Sequence, residues 1–326
     1  MAFGPCGGVR DDERCELAEY HCVFLDAPLP SWPDPIVHPA APAAGGLLER
    51  AALGPVVLTD LSLPPFDVGA LRRLVGVLAP VSDGLLVGEH ARTPDLPPTM
   101  VAAEAVAAGG RLWTTLACRD RNGIVLEQEL AGLAALGVDG VLCVTGDGRG
   151  PGVRPGASQV FDLDGTRLTA LAAGMGLTVA VPEAPEAPPV ALRPARVASK
   201  QRAGAQLCVL NHVSGPARVA EFVAAARAAG ATLPFVAGVA VFTDERSARV
   251  LQSFPGLHLD TAAVERVLAS PEPRAAGIDA AVAEARALLA VPGVVGVNLS
   301  GMGSDRGEDD GTAIKAEVAR QLKETT

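Results

Sequence analysis

Several short stretches of this 326-residue chain combine residue types that can do chemistry. Cys6, Cys15 and Cys22 bring three thiols together in a C-x8-C-x6-C spacing. Thiolates hold zinc or iron–sulfur clusters, but such sites normally draw their cysteines from close pairs. Three thiols fall short of a tetrahedral set. His21, His38 or a residue from elsewhere could complete it, and unliganded structural cysteines are the alternative. Thr145-Gly146-Asp147-Gly148 turns on glycines and presents one carboxylate, which could hydrogen-bond a cofactor ring or cap its own turn. Lys200, followed closely by Arg202, could reach a phosphate or simply complement a helix C-terminus. Asn211 carries an amide that both donates and accepts, suited to a heterocycle edge. Its neighbour His212 reads as a surface or rim histidine.

Most of these residues stand at the end of a short apolar, β-branched run. The runs begin at Pro55, Asp83, Arg111, Asp139, Leu177, Ala205, Leu233 and Gly293. Most are continuously apolar rather than alternating, as in parallel strands buried on both faces. Helical patterns separate them, predicted over Val68–Leu78, Thr99–Ala108, Ile124–Leu136, Asp164–Met175, Arg193–Ala203, Pro216–Ala229 and Ala280–Ala290. Gly109, Gly137, Gly204 and Gly230 fall where a helix would end. Extra helices are expected near Glu245–Gln252 and Thr261–Ala269, and a final amphipathic one over Thr312–Glu324. Repeated β-α units of this number predict an α/β fold, the (β/α)8 or TIM barrel. An open doubly wound sheet would normally show Gly-x-Gly-x-x-Gly after an early strand, and none follows any predicted strand. Barrel chemistry gathers at the C-terminal strand ends, where Asp60, Thr115, Thr145, Asp147 and Asn211 fall. Residues 1–45 read as a small irregular cysteine-rich module with a Pro/Ala-rich linker, and 46–326 as the barrel with its C-terminal helix.

Composition narrows the function classes. With 27 Lys and Arg against 37 Asp and Glu, the net charge of −10 argues against a nucleic-acid-backbone binder. No apolar run approaches the roughly 18 residues of a membrane span, and no secretory signal is visible. Six cysteines, three clustered at the N-terminus and three single in apolar runs, fit a reducing cytoplasm. Aromatics are sparse, with 8 Phe, 2 Trp and 1 Tyr, so planar ligands would have to be held by aliphatic walls and polar edges.

From Leu58 to Ser300 the chain resembles the methylenetetrahydrofolate reductase family. The resemblance rests on Cys118-Arg-Asp-Arg-Asn122, Thr145-Gly-Asp147, Val160-Phe-Asp-Leu-Asp164, Lys200-x-x-Ala-Gly-Ala205, the Asn211 strand end and Val236-Ala-Gly238-Val239. It implies a flavin-binding (β/α)8 barrel that reduces 5,10-methylenetetrahydrofolate to 5-methyltetrahydrofolate by hydride transfer from FAD. Asp147 then matches the carboxylate near the flavin ring, and Lys200 a lysine close to the flavin phosphates. Thr115, Thr145 and Asp162 fall at or near cofactor contacts. Asn211 and Leu251 stand where the family's substrate-touching glutamine and phenylalanine lie. The electron donor would be NAD(P)H or a redox partner protein, and the assembly a homo-oligomer. Gly4-Pro-Cys6-Gly-Gly8, Arg14-Cys15-Glu16 and Cys22-Val23 resemble a cysteine module associated with such reductases, in which the cysteines hold a metal.

The chain also departs from the family. The family's acid, a glutamate three residues before a Pro-Pro pair, is Leu61 here, leaving Asp60 as the candidate acid. Thr115 replaces a histidine and Thr145 an arginine. Three readings follow: the folate reductase itself, a related flavoenzyme with another substrate, or a flavin-free barrel acting as partner subunit or C1-carrier binding protein.

Overall fold

The computed structural model of the chain describes residues 2–4, 6, 8–15, 19–36, 45–90, 93–149, 154, 156–254 and 257–324. The expected strands form: β1 (Val56–Leu61), β2 (Gly84–Val87), β3 (Leu112–Ala117), β4 (Gly140–Val144), β5 (Val179–Glu183), β6 (Leu207–Leu210), β7 (Phe235–Phe242) and β8 (Val294–Gly303). All pair in parallel in sequence order, and β8 closes on β1 with Leu58 opposite Asn298. This is the (β/α)8 barrel that the alternation of runs predicted.

Side-chain alternation builds two apolar layers. The inner layer fills the barrel with Leu58, Leu86, Trp113, Leu142, Val209 and Val236, among others. Trp113 is its largest member, and a Cβ at Gly140 would lie 2.4 Å from the indole ring. The indole N–H donates to Asp139 Oδ2 at 3.2 Å. The same oxygen accepts the Leu47 N–H at 3.1 Å, which seats the short helix Leu47–Ala51 as a plug under the barrel.

The outer layer divides into two arcs. One packs helices Val68–Leu78, Pro98–Ala107, Gly123–Leu136 and Gly165–Gly174 over the first strands. The other packs Arg193–Arg202, Pro216–Ala228, Pro273–Leu289 and Glu308–Lys323 over the later ones. Helix starts follow the expected capping chemistry. Asp67, Asn122 and Asp164 each accept a first-turn backbone N–H, and Asp244 forms a capping box with Ser247. The helix predicted to begin at Ala280 in fact begins at Pro273. Gly277 lies inside it. A Cβ there would stand 2.3 Å from the Phe242 carbonyl, so its lack of a side chain permits close helix–sheet packing.

The described part of the N-terminal segment lies against the barrel. Arg202 donates to the carbonyls of Trp32 (2.9 Å) and Pro33 (2.7 Å), and the Ile36 N–H returns to the Arg202 carbonyl. At the other end, the Ala2 and Phe3 N–H groups donate to Asp164 Oδ2 at 2.7 and 3.2 Å. Most of the expected linker, residues 37–44, lies outside the described residues. Among the described residues, no helix is long and apolar enough to cross a membrane.

Candidate functional site

The C-terminal strand ends enclose a cavity of about 510 Å³. Its floor is the top of the inner layer, Leu86, Leu142 and Val209, and the N-terminal segment lends Phe3, Gly4, Cys6 and Gly8 to its wall. Asp60, Thr145, Asp147, Lys200, Asn211 and Leu251 all line it, so most of the expected site residues gather there.

Alternation along β1 decides between Asp60 and Leu61. Leu58 packs inside the barrel and Leu61 in the outer layer, so Asp60 is the residue that faces the cavity. Asn298, its neighbour across the β1–β8 seam, donates from Nδ2 to Asp60 Oδ1 at 2.9 Å. Burial pushes the Asp60 carboxyl upward, and the Lys315 ammonium and the Asn298 hydrogen bond only partly counter it. The other amide atom, Asn298 Oδ1, is buried in the cavity lining with no hydrogen-bond partner among the described residues.

On the opposite wall, one carboxylate meets three cations. Arg193 Nη1 lies 2.8 Å from Glu183 Oε1, Lys200 Nζ 2.9 Å from Oε2, and Arg196 Nη1 3.9 Å from Oε1. Arg193, Arg196 and Lys200 project from one face of the helix Arg193–Arg202, at spacings of three and four residues. Burial alone would raise Glu183, but Arg196, Lys200 and Arg193 outweigh it and hold the carboxyl well below its ordinary range. Burial also lowers Lys200, with Glu183 opposing. The wall keeps a cationic surplus, and the next acid, Asp164, is occupied by backbone N–H groups from Ala2, Phe3 and Arg167.

The structure corrects several expectations. His212 is not a rim residue: it is 3% exposed, lines the cavity, and its Nε2 has no hydrogen-bond partner among the described residues. β7 passes so close beside it that a Cβ at Gly238 would lie 2.7 Å from the His212 backbone nitrogen. Burial, helped by His258, lowers its pKa to about 4, so the imidazole is neutral near pH 7. Asp162 does not reach the cavity. It accepts the Gly123 N–H at 3.0 Å and so caps a neighbouring helix, whereas Asp164 lines the cavity. Thr115 borders a separate cavity of about 300 Å³, near the Glu89–Arg121 ion pair. The walls are not wholly aliphatic either, because Phe254, one turn beyond Leu251, and Phe3 both line the central cavity.

The residues expected to hold FAD therefore do not form one cradle. Asp162 and Thr115 lie elsewhere, and the Thr145 hydroxyl accepts the Gly165 N–H at 2.9 Å. Lys200 is spent on Glu183 and on the Pro182 carbonyl at 2.5 Å. Asp147 remains at the rim, its carboxyl raised by the surrounding loops and partly lowered by Arg119. The expected ligands Cys15, Cys22 and Cys6 all lie around Tyr20, but among the described residues no three His, Cys, Asp or Glu side chains form a metal-holding group. Cys6 borders the cavity, Cys22 is buried, and Cys15 lies by the Tyr20 hydroxyl. His21 pairs with Asp26 at 3.2 Å, and His38 lies outside the described residues.

Glu183 and Asn298 were visible as strand-end residues, but nothing in their local sequence assigned them a role. Arg193 and Arg196 carried a signal in hindsight, since R-x-x-R-x-x-x-K places three cations on one helical face. Lys315 gave none, because lysines on amphipathic helices are normally solvated.

No protein-family model and no curated protein matches the chain. Among solved structures, an uncharacterised protein from Clostridium thermocellum is similar over 86% of this chain and 100% of its own, with a TM-score of 0.63 and 9% identity. That protein is described as binding two copies of 5-methyl-5,6,7,8-tetrahydrofolic acid. Tryptophan synthase from M. tuberculosis (TM-score 0.46, 16% identity, 84% of this chain and 95% of that one) is more distant. So is thiamine phosphate pyrophosphorylase from Pyrococcus furiosus (0.41, 14%, 84% and 98%). At these identities the clostridial likeness establishes a shared fold, the closed eight-stranded parallel barrel.

Proposed function

We propose that this chain binds a reduced folate, or a C1 carrier of the same chemistry, in the central cavity and delivers a proton to it from Asp60. The observation that carries the reading is the buried Asp60–Asn298 pair. A carboxyl whose hold on its proton is strengthened by burial can serve as a general acid. Beside it, the unpaired Asn298 Oδ1 asks for a ligand N–H, because an unmet buried acceptor costs about 1–3 kcal/mol. A pterin supplies such an edge. The three cations Arg193, Arg196 and Lys200 against the single Glu183 carboxylate leave their wall net positive, a potential that suits the carboxylates of a folate tail without direct contact from Lys200 or Arg193, and Phe254 gives a face for stacking. The folate-binding description of the clostridial barrel supports the same ligand class.

Protonating a folate ring nitrogen weakens its bond to the attached carbon unit, which prepares that unit for reduction or transfer. The reductase reading implied by the sequence uses this step and adds hydride from FAD. The scattered flavin contacts favour the simpler reading, a C1-carrier-binding barrel with an acid. Calorimetric titration with 5-methyltetrahydrofolate and a visible spectrum of the purified protein test both. Micromolar binding that tightens as pH falls, and loses this pH dependence in Asp60→Asn, is expected. Absence of folate binding at any pH refutes the proposal, and a bound-flavin spectrum restores the reductase.

A further inference from the structure

The most completely buried cation in the described protein lies behind this acid and has no part in the cavity lining. Lys315, on the helix Glu308–Lys323, is 0% exposed. Its Nζ donates to the Asp60 carbonyl at 2.5 Å, to Ser62 Oγ at 3.2 Å and to the Gly301 carbonyl at 3.1 Å. These three acceptors use all three ammonium protons. They lie on β1, just beyond it, and on β8, the two strands that carry Asp60 and Asn298. Gly301 presents its carbonyl there from a left-handed turn (φ +101°).

Burying a lysine this fully is costly, and a methionine or leucine would pack a helix–barrel interface more cheaply. A purely structural tie is therefore a poor explanation for the charge. Several other charges on nearby elements are engaged elsewhere. Arg73, on Val68–Leu78, meets Asp309, and Arg274, on Pro273–Leu289, meets Asp310. Arg286 reaches the Gln321 carbonyl, and Glu284 bonds to the Ala240 backbone. Around Asp60 itself, β2 presents Leu86 and β8 presents the neutral Asn298.

We propose that Lys315 is the positioning residue of the site: it locks the main chain that bears Asp60 and is the charged group that sets how tightly this carboxyl holds its proton. The inference rests on Asp60 being the site's acid, and its test needs no ligand. Lys315 touches Asp60 through its main-chain carbonyl rather than its carboxylate, so removing this cation should move the carboxyl upward by about one pH unit, the low end for a neighbouring cation. The carboxyl ¹³C titration of Asp60, assigned by its disappearance in Asp60→Asn, should shift upward by that amount in Lys315→Gln. Gln keeps amide donors for the carbonyls but loses the charge. Lys315→Arg should keep the midpoint near that of the wild type. In the reverse direction, Asp60→Asn should lower the Lys315 ¹⁵Nζ titration midpoint, because the stabilising carboxylate is gone.

If Lys315→Gln folds and the Asp60 midpoint moves by less than about 0.3 units, the proposal is overturned. Should that variant fail to fold, an unmoved Lys315 midpoint in Asp60→Asn overturns it instead. Calorimetry with 5-methyltetrahydrofolate on the wild type separates the two claims. No binding there removes the folate reading while leaving the Lys315–Asp60 coupling to stand or fall on the titrations.

Discussion

Replacing Glu183 by Gln tests whether the cation wall is held by a single carboxylate. Glu183 is 2% exposed and is the acid that meets Arg193, Arg196 and Lys200. Gln fills nearly the same volume, so the change is almost purely electrostatic. Breaking a buried pair from one side costs about 3–5 kcal/mol, because the remaining cations stay desolvated without compensation. Unfolding entropy near 60 °C is about 2.1 cal/mol/K per residue, or about 0.7 kcal/mol/K for 326 residues. The expected loss is therefore about 4–7 °C in Tm at pH 7, read by calorimetry. The pH dependence has a definite sign. A carboxyl held below its unfolded value contributes stability above the ordinary carboxylate range and loses it as pH falls. The gap between wild type and variant must therefore narrow below about pH 4. The double variant Glu183→Gln/Lys200→Met should recover part of the loss, since it removes a stranded charge along with its partner. A Tm change under about 1 °C at pH 7, or a gap that widens in acid, would refute the reasoning.

Other outcomes follow from the barrel's back face. Burial raises Glu284 to about 7, so this carboxyl favours the folded state while protonated and loses that contribution as pH rises from its unfolded range through 7. Glu284→Gln should therefore raise Tm at pH 8, by the equivalent of about 2–3 kcal/mol, and change little at pH 4. Thermal melts at both values check it, and an equal gain at both would show that Glu284 does not titrate in this way. Gly277→Ala sets two effects against each other. Helix propensity favours Ala by about 1 kcal/mol, but its Cβ would lie 2.3 Å from the Phe242 carbonyl. The clash should win with a net loss of about 1–3 kcal/mol in urea unfolding, and a stabilised variant would show that the helix can move away.

The fold was legible because its signals are local. Continuous apolar runs with glycine-terminated helices between them identify parallel strands and crossovers without any knowledge of long-range contacts. Where the pattern fell short, packing supplies the reason: the helix expected from Ala280 begins at Pro273, and Gly277 within it lets the helix approach the Phe242 carbonyl of a strand far away in sequence. The site was legible only in part. Asp60, Asp147, Lys200 and Asn211 could be found from their place at or before strand ends. His212, Asn298 and Lys315 could not be assigned, because their roles depend on which atoms are left without water once the barrel closes. Asp162 misled for a related reason. The turn at Phe161, with φ +47°, leaves its carboxylate capping a neighbouring helix, and the cavity position falls to Asp164 two residues later.

The division of the outer layer into two arcs bears on how sequence change accumulates in this protein. Substitutions well inside different arcs, away from the seam where Val81 and the helix Glu308–Lys323 touch both, share no packing partners, so their free-energy effects should sum to within a few tenths of a kcal/mol. The inner layer is different, since Trp113 and its neighbours touch strands from around the whole ring. Pairs that include an inner position should show non-additivity whichever arc holds the other member. Tolerance to mutation is then modular on the outside and collective within. The cavity's polar residues stand directly on that collective layer, so drift in ligand preference is coupled to the part of the barrel least free to vary.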